Sequence, residues 1–189
     1  MQLTAVGQMM DFNFSHTAQE PTEEEILNMY VYKTAHYTLV NPFVMGAQAA
    51  GANSQYCDNL TTAAQTLGVI FQIRDDVMGL LGDEKVTGKT AYSDVRENKK
   101  TLIRHYLFSE ANNEDKTLLN AVFGNKQIAL EDFQKLLTFV KTSGVEEKIN
   151  KKLTLMAATA RDSIKKLSLN EPYNTIIEEL VHYSLTRVK

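Results

Sequence analysis

Apolar residues recur every three or four positions along most of this chain, which is the spacing of amphipathic helices. The first such stretch covers residues 1 to about 14, has no N-cap residue, and is expected to be a helix whose beginning lies elsewhere. A second stretch follows a capping box, in which Thr22 stands three residues before Glu25. Pro42 is expected to kink or end this second helix, because proline lacks the N–H that a helix interior uses.

The third stretch carries the densest apolar pattern, so we expect it to form the central helix. Ser54 is its expected N-cap and Gly82 its expected stop. The pattern then disappears between residues 82 and 98, where the sequence reads GDEKVTGKTAYSDVREN. Loops of this length without secondary structure of their own are usually functional or disordered.

Helical spacing returns after the polar loop and continues towards the C-terminus. Gly124 and Gly144 stand where C-terminal caps are expected, and Asn170 with Pro172 opens the last helix. The stretches before that last helix are 99–110, 113–123, 130–143 and 145–168. No segment shows sustained alternation with a period of two, so the predicted fold class is all-α.

The composition agrees with this helical interpretation and excludes several classes of protein. A length of 189 residues, 43% of them apolar, suits one domain over residues 1–189, and nine Gly with three Pro are few turn formers. The 20 basic and 23 acidic residues give a net charge of −3 without a basic stripe, so we expect no nucleic-acid partner. Cys57 is the lone cysteine, and no signal peptide or membrane-spanning run is present, so we expect a soluble, cytoplasmic protein.

The most informative motif is FQIRDDVMGLLGD, at residues 71–83. On a helix, Gln72, Asp75, Asp76 and Gly79 share one face. Adjacent carboxylates near a helix C-terminus repel each other and oppose the macrodipole, at a cost of about 0.3–1 kcal/mol each. A hard divalent cation such as Mg²⁺, which takes oxygen ligands, would resolve both problems. The plain alternative is an acidic turn in solvent.

Lysines occur at positions that complement this acidic motif. Lys89 follows Gly88 in the polar loop, Lys99 follows that loop, and Lys33 precedes Thr34 on the second helix. A metal ion and ammonium groups can share the neutralisation of a departing diphosphate, so the combination indicates a diphosphate site. On their own, these lysines are equally compatible with surface ion pairs, which are worth 0 to about 1 kcal/mol.

Four elements in a fixed order resemble the C-terminal part of a trans-type isoprenyl diphosphate synthase of the polyprenyl synthetase family. They are GQMMD at 7–11, KTA at 33–35, FQIRDDVMG at 71–79 and TGKTAYSDVRENKKT at 87–101. The resemblance covers residues 7–101, and the rest matches as generic helices with a basic tail. It implies the isoprenoid synthase helical bundle, with residues 1–189 as a partial polyprenyl synthetase domain.

The resemblance also implies a role for individual residues. Magnesium would bind at Asp75 and Asp76. Catalytic contacts to the allylic diphosphate would come from Lys33, Lys89 and Lys99. Further substrate contacts would come from Thr34, Gln72 and Gln8, with Asp11 beside them as a pocket residue. The implied reaction is magnesium-assisted loss of diphosphate from an allylic diphosphate, attack by isopentenyl diphosphate and loss of a proton, as in a geranylgeranyl or farnesyl diphosphate synthase.

Two departures from the family pattern bear on function. Gly79 stands where the family usually has a third aspartate, and the first aspartate-rich motif, which precedes the GQ element in the family, does not occur within residues 1–189. We therefore expect little or no product from this chain alone, and either a homo-oligomer such as a dimer or association with the N-terminal part.

Two alternative functions remain open from the sequence. One is a non-catalytic diphosphate-binding subunit or pseudoenzyme. The other, ranked last, is a class I terpene cyclase, whose metal ligands have the spacing of Asp75, Gly79 and Asp83, although glycine offers no side-chain oxygen.

Overall fold

Helices account for most of the structure, a computed structural model that describes residues 2–81 and 92–187. Those two ranges contain no strand, so the all-α prediction is confirmed. The helical elements are α1 (Gln2–His16), α2 (Glu23–Tyr30), a π-helical segment (Val31–Val40), α3 (Asn41–Ala49), α4 (Ser54–Leu81), α5 (Ser93–Arg96), α6 (Leu102–Glu110), α7 (Asn113–Val122), α8 (Leu130–Thr142), α9 (Val145–Lys165) and α10 (Tyr173–Thr186).

The predicted capping box at the start of α2 is confirmed. The Thr22 hydroxyl accepts the Glu25 N–H at 3.3 Å, and the Glu25 carboxylate accepts the Thr22 N–H at 2.8 Å. The cap of α4 is one residue earlier than predicted, because the Asn53 side chain, and not that of Ser54, accepts the Tyr56 N–H at 2.8 Å. Asparagine and serine are both good caps, and sequence alone does not choose between neighbours.

Of the two outcomes expected at Pro42, a kink or an end of the helix, the structure excludes the end. The chain passes from α2 through the π-helical segment into α3 without leaving the helical conformation. In the wider π turn the Asn41 N–H bonds to the His36 carbonyl, five residues earlier. Pro42 then falls in the first turn of α3, where a missing N–H is tolerated.

Two glycines allow the helices on either side to approach the π-helical segment closely. A Cβ on Gly7 of α1 would lie 2.2 Å from the Lys33 backbone nitrogen, and a Cβ on Gly68 of α4 would lie 2.5 Å from the Ala35 Cβ. No larger residue fits at either position without moving a backbone. These contacts fix the stretch that carries Lys33 and Thr34 between α1 and α4.

Helix α4 is central, as predicted, and packs against the π-helical segment, α3, α9 and α10. Leu67, Ile70 and Ile73 are fully buried along it. Gln72 and Asp76 are also buried, although both are polar. A buried polar group needs hydrogen-bond partners, so the C-terminal half of α4 must meet polar groups from its neighbours.

The polar loop of the sequence analysis is described only in its last part. There the short helix α5 buries Val95, and Tyr92 and Asn98 on either side have positive φ angles of 65° and 53°. Asp83 and Lys89 lie outside the described residues.

Beyond the loop, two glycine positions match the predicted helix ends. Gly124 after α7 and Gly144 before α9 have φ angles of 83° and 75°, which is the left-handed conformation expected after a helix. Among the helices described, none is both long and apolar enough for a bilayer crossing.

Candidate functional site

A polar cavity of about 310 Å³ lies where α1, the π-helical segment, α4 and α5 meet. The sequence-predicted metal and substrate residues within the described ranges all line it, whereas Asp11, also expected at the pocket, lies behind Lys33 and lines a neighbouring cavity, and Lys89 falls outside those ranges. The lining residues are Gln8, Lys33, Thr34, Tyr37, Gln72, Asp75, Asp76, Gly79, Ser93, Asp94 and Lys99. Residues up to 91 positions apart in sequence are therefore neighbours in the fold.

Asp76 is buried at the base of this cavity and accepts hydrogen bonds on both carboxylate oxygens. The Tyr30 hydroxyl donates to Oδ2 at 2.5 Å, and the Gln72 amide nitrogen donates to Oδ1 at 2.8 Å. Burial raises the pKa of Asp76 from 3.8 to about 7, although the Tyr30 hydrogen bond opposes that rise. Asp76 thus has a raised pKa, and hydrogen bonds from Tyr30 and Gln72 occupy both of its carboxylate oxygens.

Gln72 connects Asp76 to the π-helical segment. Its amide oxygen accepts the Thr34 hydroxyl at 2.5 Å, while its amide nitrogen donates to Asp76. The hydroxyl hydrogen of Thr34 is therefore directed at Gln72. Thr34 and Gln72 both line the cavity. The hydroxyl hydrogen of Thr34 is used within the protein, whereas an amide group has two hydrogens, and the second one of Gln72 can be donated to a ligand.

Asp75 points in a different direction from Asp76. Its Oδ1 accepts a hydrogen bond of 2.5 Å from Arg187, which follows α10, and its side chain keeps 26% of its surface exposed. The Arg187 guanidinium also lies over the Phe71 ring, 3.7 Å from the ring centre. The two adjacent carboxylates of the motif therefore meet different partners.

Both described lysines of the predicted site pair with carboxylates. Lys33 donates to Asp11 at 2.8 Å, and Lys99 donates to Asp94 at 2.6 Å. Burial alone would lower the pKa of Lys99, but the Asp94 hydrogen bond and charge outweigh it, so the pKa is raised. Asp11 and Asp94 therefore hold the two ammonium groups in place before any ligand binds.

Asp94 occupies the space beside Gly79. A Cβ added at Gly79 would lie 3.0 Å from the Asp94 Oδ2. The position where the family usually has a third aspartate thus already faces a carboxylate, one that comes from α5 instead of α4. From the sequence alone, Asp94 was one residue of the 87–101 element without a role of its own.

The site fits a hard divalent cation by its chemistry. Asp75, Asp76 and Asp94 line the cavity, and the oxygen atoms of their carboxylates are the ligand type that Mg²⁺ prefers. In residues 2–81 and 92–187, no three His, Cys, Asp or Glu side chains form a ready metal cluster. A Mg²⁺ site that uses one or two carboxylates, with water and substrate phosphates, needs no such cluster.

The charge balance supports the same view. Among the described residues, the charged groups that line the cavity and their ion-pair partners include two more carboxylates than cations when all are ionised. The carboxylates are Asp11, Asp75, Asp76, Asp94 and Glu97, and the cations are Lys33, Lys99 and Arg187. An incoming diphosphate therefore benefits from an additional cation.

Tyr30 is a site residue that the sequence did not reveal. Its hydroxyl donates to Asp76 and accepts the Leu102 N–H at 2.9 Å, while its ring is fully buried. The available signal was spacing, since Tyr30 precedes Lys33 and Thr34 by three and four residues and so shares their helix face. A buried aromatic residue gives no hint from sequence that its hydroxyl has a polar partner.

Together, the fold and site define an all-α protein with an acidic, lysine-flanked pocket suited to a metal and a phosphorylated ligand. The family profile described as polyprenyl synthetase matches residues 1–140. The chain belongs to the polyprenyl synthetase family.

Named relatives and solved structures agree with this family. The chain is 34% identical to a geranylgeranyl diphosphate synthase of Saccharolobus solfataricus over 77% of its own length and 43% of the relative. It is 30% identical to a geranylfarnesyl diphosphate synthase of Aeropyrum pernix, over 97% of its length and 56% of the relative. The chain thus spans about half the length of the curated relatives that it matches.

In the structural comparison, too, the chain corresponds to about half of the protein that it matches. A geranylgeranyl pyrophosphate synthase from Corynebacterium glutamicum, solved with isoprenyl diphosphate and magnesium, superimposes with a TM-score of 0.91 at 27% identity. The match covers 98% of this chain and 52% of that one. This likeness confirms the helical fold of the family for the described residues.

Proposed function

We propose that this chain contributes the second diphosphate-binding half of a prenyl transfer site, which condenses an allylic diphosphate with isopentenyl diphosphate. The observation that carries the proposal is convergence: all four family elements meet at one cavity. Gln8, Lys33, Gln72 and Lys99 come from those four elements, and each lines the cavity. Relatives named as geranylgeranyl and geranylfarnesyl diphosphate synthases support this reaction class.

Magnesium is the cofactor of this proposal, and Asp75 is the carboxylate best placed to hold it. When bound, Mg²⁺ would neutralise charge on the diphosphate and so favour its departure. Asp94 stands across from α4 at Gly79 and provides a second nearby carboxylate. The magnesium in the Corynebacterium glutamicum structure supports this choice of metal.

The lysines are proposed to hold the diphosphate itself. Lys33 and Lys99 both line the cavity, and they come from the π-helical segment and from the residues after α5. Each is anchored by an aspartate, so little side-chain freedom is lost when a ligand binds. Lys89, which the family resemblance also assigns to the diphosphate, completes the proposed set.

Exposed apolar surface supports the proposal that another polypeptide segment completes the site. Leu3, Val6, Met9 and Phe12 recur every three residues on the outer side of α1, and all are exposed. An open apolar cavity of about 800 Å³ also lies between α3, α4, α9 and α10. Apolar surface of this extent favours association with the N-terminal part of the family fold or with a second copy of the chain.

A split-enzyme assay tests the function. The purified chain is incubated with Mg²⁺, radiolabelled isopentenyl diphosphate and an allylic diphosphate, alone and after co-expression with the N-terminal half of the Saccharolobus solfataricus enzyme. We expect little or no prenyl product alone and clear product from the reconstituted pair. In that pair, Asp75→Ala and Lys99→Met are each expected to lower turnover by about 100-fold or more.

Asp58→Asn provides the matched control, since Asp58 is an exposed aspartate on the same helix α4. Its turnover is expected to equal that of the unmodified pair. Unchanged turnover in both Asp75→Ala and Lys99→Met would reject the site assignment. Binding of diphosphate by a reconstituted pair that yields no product would instead favour the non-catalytic subunit.

A further inference from the structure

Lys99 and Lys100 are adjacent in sequence, but their ammonium groups have different partners. Lys99 lines the polar cavity and donates to Asp94 at 2.6 Å. Lys100 is only 3% exposed, and its ammonium group donates to the backbone carbonyls of Thr17 at 2.9 Å and Gln19 at 2.8 Å. Burying a charge is costly unless the charge is paired and hydrogen-bonded, so Lys100 is held by specific partners inside the protein.

The two carbonyls that Lys100 binds belong to the residues that follow helix α1. Thr17 comes directly after the helix, where backbone carbonyls lack partners within the helix. A cation at this end also interacts favourably with the helix dipole. Lys100 thus caps the C-terminal end of α1 from 83 positions further along the chain.

Glu20 takes part in the same connection. Its carboxylate lies 3.3 Å from the Lys100 ammonium group and accepts two hydrogen bonds from Arg104, at 2.6 and 3.0 Å. Arg104 is buried in the first turn of α6, and the Thr101 hydroxyl caps that helix by accepting the Arg104 N–H at 3.3 Å. Two buried cations, one just before α6 and one in its first turn, therefore hold the segment that leaves α1.

These contacts connect the two parts of the chain that carry the described lysines of the site. Helix α1 packs on the π-helical segment, and its Asp11 accepts the hydrogen bond of Lys33. Lys99 directly precedes Lys100 on the other part. A cavity of about 930 Å³ lies between α1 and residues 96–99. The hydrogen bonds of Lys100 therefore bridge two parts of the chain that this cavity separates.

We propose that Lys100 is a positioning residue for the diphosphate: it holds the segment after α1, and so keeps Lys99 in place to bind the same diphosphate as Lys33. This inference rests on the proposed diphosphate site and deepens it. A site whose lysines are already in place loses less side-chain and loop freedom when a ligand binds. Without Lys100, the Lys99 segment is free to shift relative to α1, and part of the binding free energy is then consumed in ordering it.

The test measures the binding of inorganic diphosphate to the full chain at saturating Mg²⁺ by isothermal titration calorimetry. Lys100→Met removes the ammonium group and keeps a long, unbranched side chain. We expect it to weaken diphosphate binding by about fivefold, the effect of ordering one long side chain on binding. Circular dichroism is expected to show an unchanged helix content.

Lys152→Met is the matched control. Lys152 is a partly buried lysine that joins α9 to the start of α2 through a hydrogen bond to Glu23, and neither residue lines the polar cavity. Its removal is expected to lower the temperature of thermal unfolding and to leave diphosphate affinity unchanged. An equal loss of affinity in Lys152→Met and Lys100→Met would mean that the loss of any such contact weakens the site, which would contradict a positioning role.

A double-mutant cycle with Lys99 separates positioning from a general loosening of the fold. Lys99→Met removes the cation that binds the diphosphate and is expected to lower affinity by about 30-fold, the effect of one lost hydrogen bond between charged groups. If Lys100 acts through Lys99, adding Lys100→Met to that variant lowers affinity by less than about a further twofold. A further fivefold loss in the double variant would overturn the proposal.

Glu20→Gln keeps the proposal testable if Lys100→Met does not fold. It removes the carboxylate charge beside Lys100 and leaves both carbonyl contacts in place, so we expect a smaller loss of diphosphate affinity, about threefold, that is absent in the Lys99→Met background. An affinity equal to that of the unmodified chain would count against the proposal.

The two levels of the argument fail in different ways. Failure of the unmodified chain to bind diphosphate would reject the proposed function itself, and with it this inference. Binding that is equally tight in the unmodified chain and in Lys100→Met would reject this inference alone.

Discussion

Arg187, directly after α10, donates a hydrogen bond of 2.5 Å to Asp75, 112 positions earlier in the chain. The guanidinium is almost fully buried and lies against the Phe71 ring. The C-terminal end of the described chain therefore supplies a cation to the carboxylate that we propose as the metal contact. If Asp75 holds the metal as proposed, Arg187 and the metal ion would compete for the same negative charge.

Removing Arg187 is expected to strengthen metal binding. In Arg187→Met, Asp75 loses one cation that competes with the metal, so Mn²⁺ affinity is expected to rise by about fivefold, the equivalent of about 1 kcal/mol for a partly exposed ion pair. Water-proton relaxation in a Mn²⁺ titration measures the change. Arg161→Met is the control, because Arg161 pairs with Glu178 on the surface, away from the cavity. Equal or weaker Mn²⁺ binding in Arg187→Met would show that the arginine does not compete with the metal.

Gly68 is expected to tolerate no side chain. In Gly68→Ala the new methyl group would lie 2.5 Å from the Cα and Cβ of Ala35, so helix α4 and the π-helical segment must move apart. We expect a loss of about 1–3 kcal/mol in the free energy of unfolding, the usual cost of overpacking. Urea unfolding followed by circular dichroism measures this loss.

Gly46→Ala is the matched control for that substitution. Gly46 lies in helix α3, and a Cβ there would meet no atom within 4 Å. Alanine is the better helix former, so this variant is expected to gain about 0.5–1 kcal/mol. A similar change in stability for the two variants would mean that the close approach at Gly68 does not matter.

Glu20 is expected to make stability depend on acid pH. It accepts two hydrogen bonds from the buried Arg104, at 2.6 and 3.0 Å, and lies 3.3 Å from the buried Lys100. Burial alone would raise the pKa of Glu20, but Arg104 and Lys100 outweigh it, so its pKa lies below the ordinary value of 4.5. The unfolded chain therefore binds this proton more readily than the folded chain does.

The stabilisation by Glu20 is accordingly complete above pH 4.5 and is lost as pH falls through the lower folded pKa. At pH 7, Glu20→Gln is expected to cost about 1–2 kcal/mol, less than a fully buried pair because Glu20 is half exposed. At pH 3 the difference from the unmodified chain should shrink. Thermal unfolding at both pH values measures it, with the exposed Glu131→Gln as control. A difference that is the same at both pH values would contradict this account.

Much of the fold could be predicted because helices are specified locally. Apolar spacing located the helices, and the Thr22 capping box and the glycines after helices marked several ends. The helix that continues through Pro42 could not be read from the sequence. Whether a proline ends a helix depends on the hydrogen-bond register of the preceding turns, and here those turns are π-helical and lie closely packed between Gly7 and Gly68.

The residue types of the candidate site were also readable from the sequence, since carboxylates and lysines in that order are typical of a metal and diphosphate site. The sequence did not show which carboxylate is buried. Neighbouring residues on a helix point about 100° apart, so the surroundings of Asp75 and Asp76 are set by other elements. Tyr30, Gln72 and Arg187 provide those surroundings.

The sequence by itself therefore determined the helices, the family and the chemical types of the site residues, because each depends on short-range pattern. Only the tertiary structure decided that Asp76 is held by Tyr30 and Gln72, that Asp94 faces Gly79 and that Arg187 reaches Asp75. Such contacts join residues far apart in the chain. They exist only once burial has brought the helices together and left each polar group to find a partner.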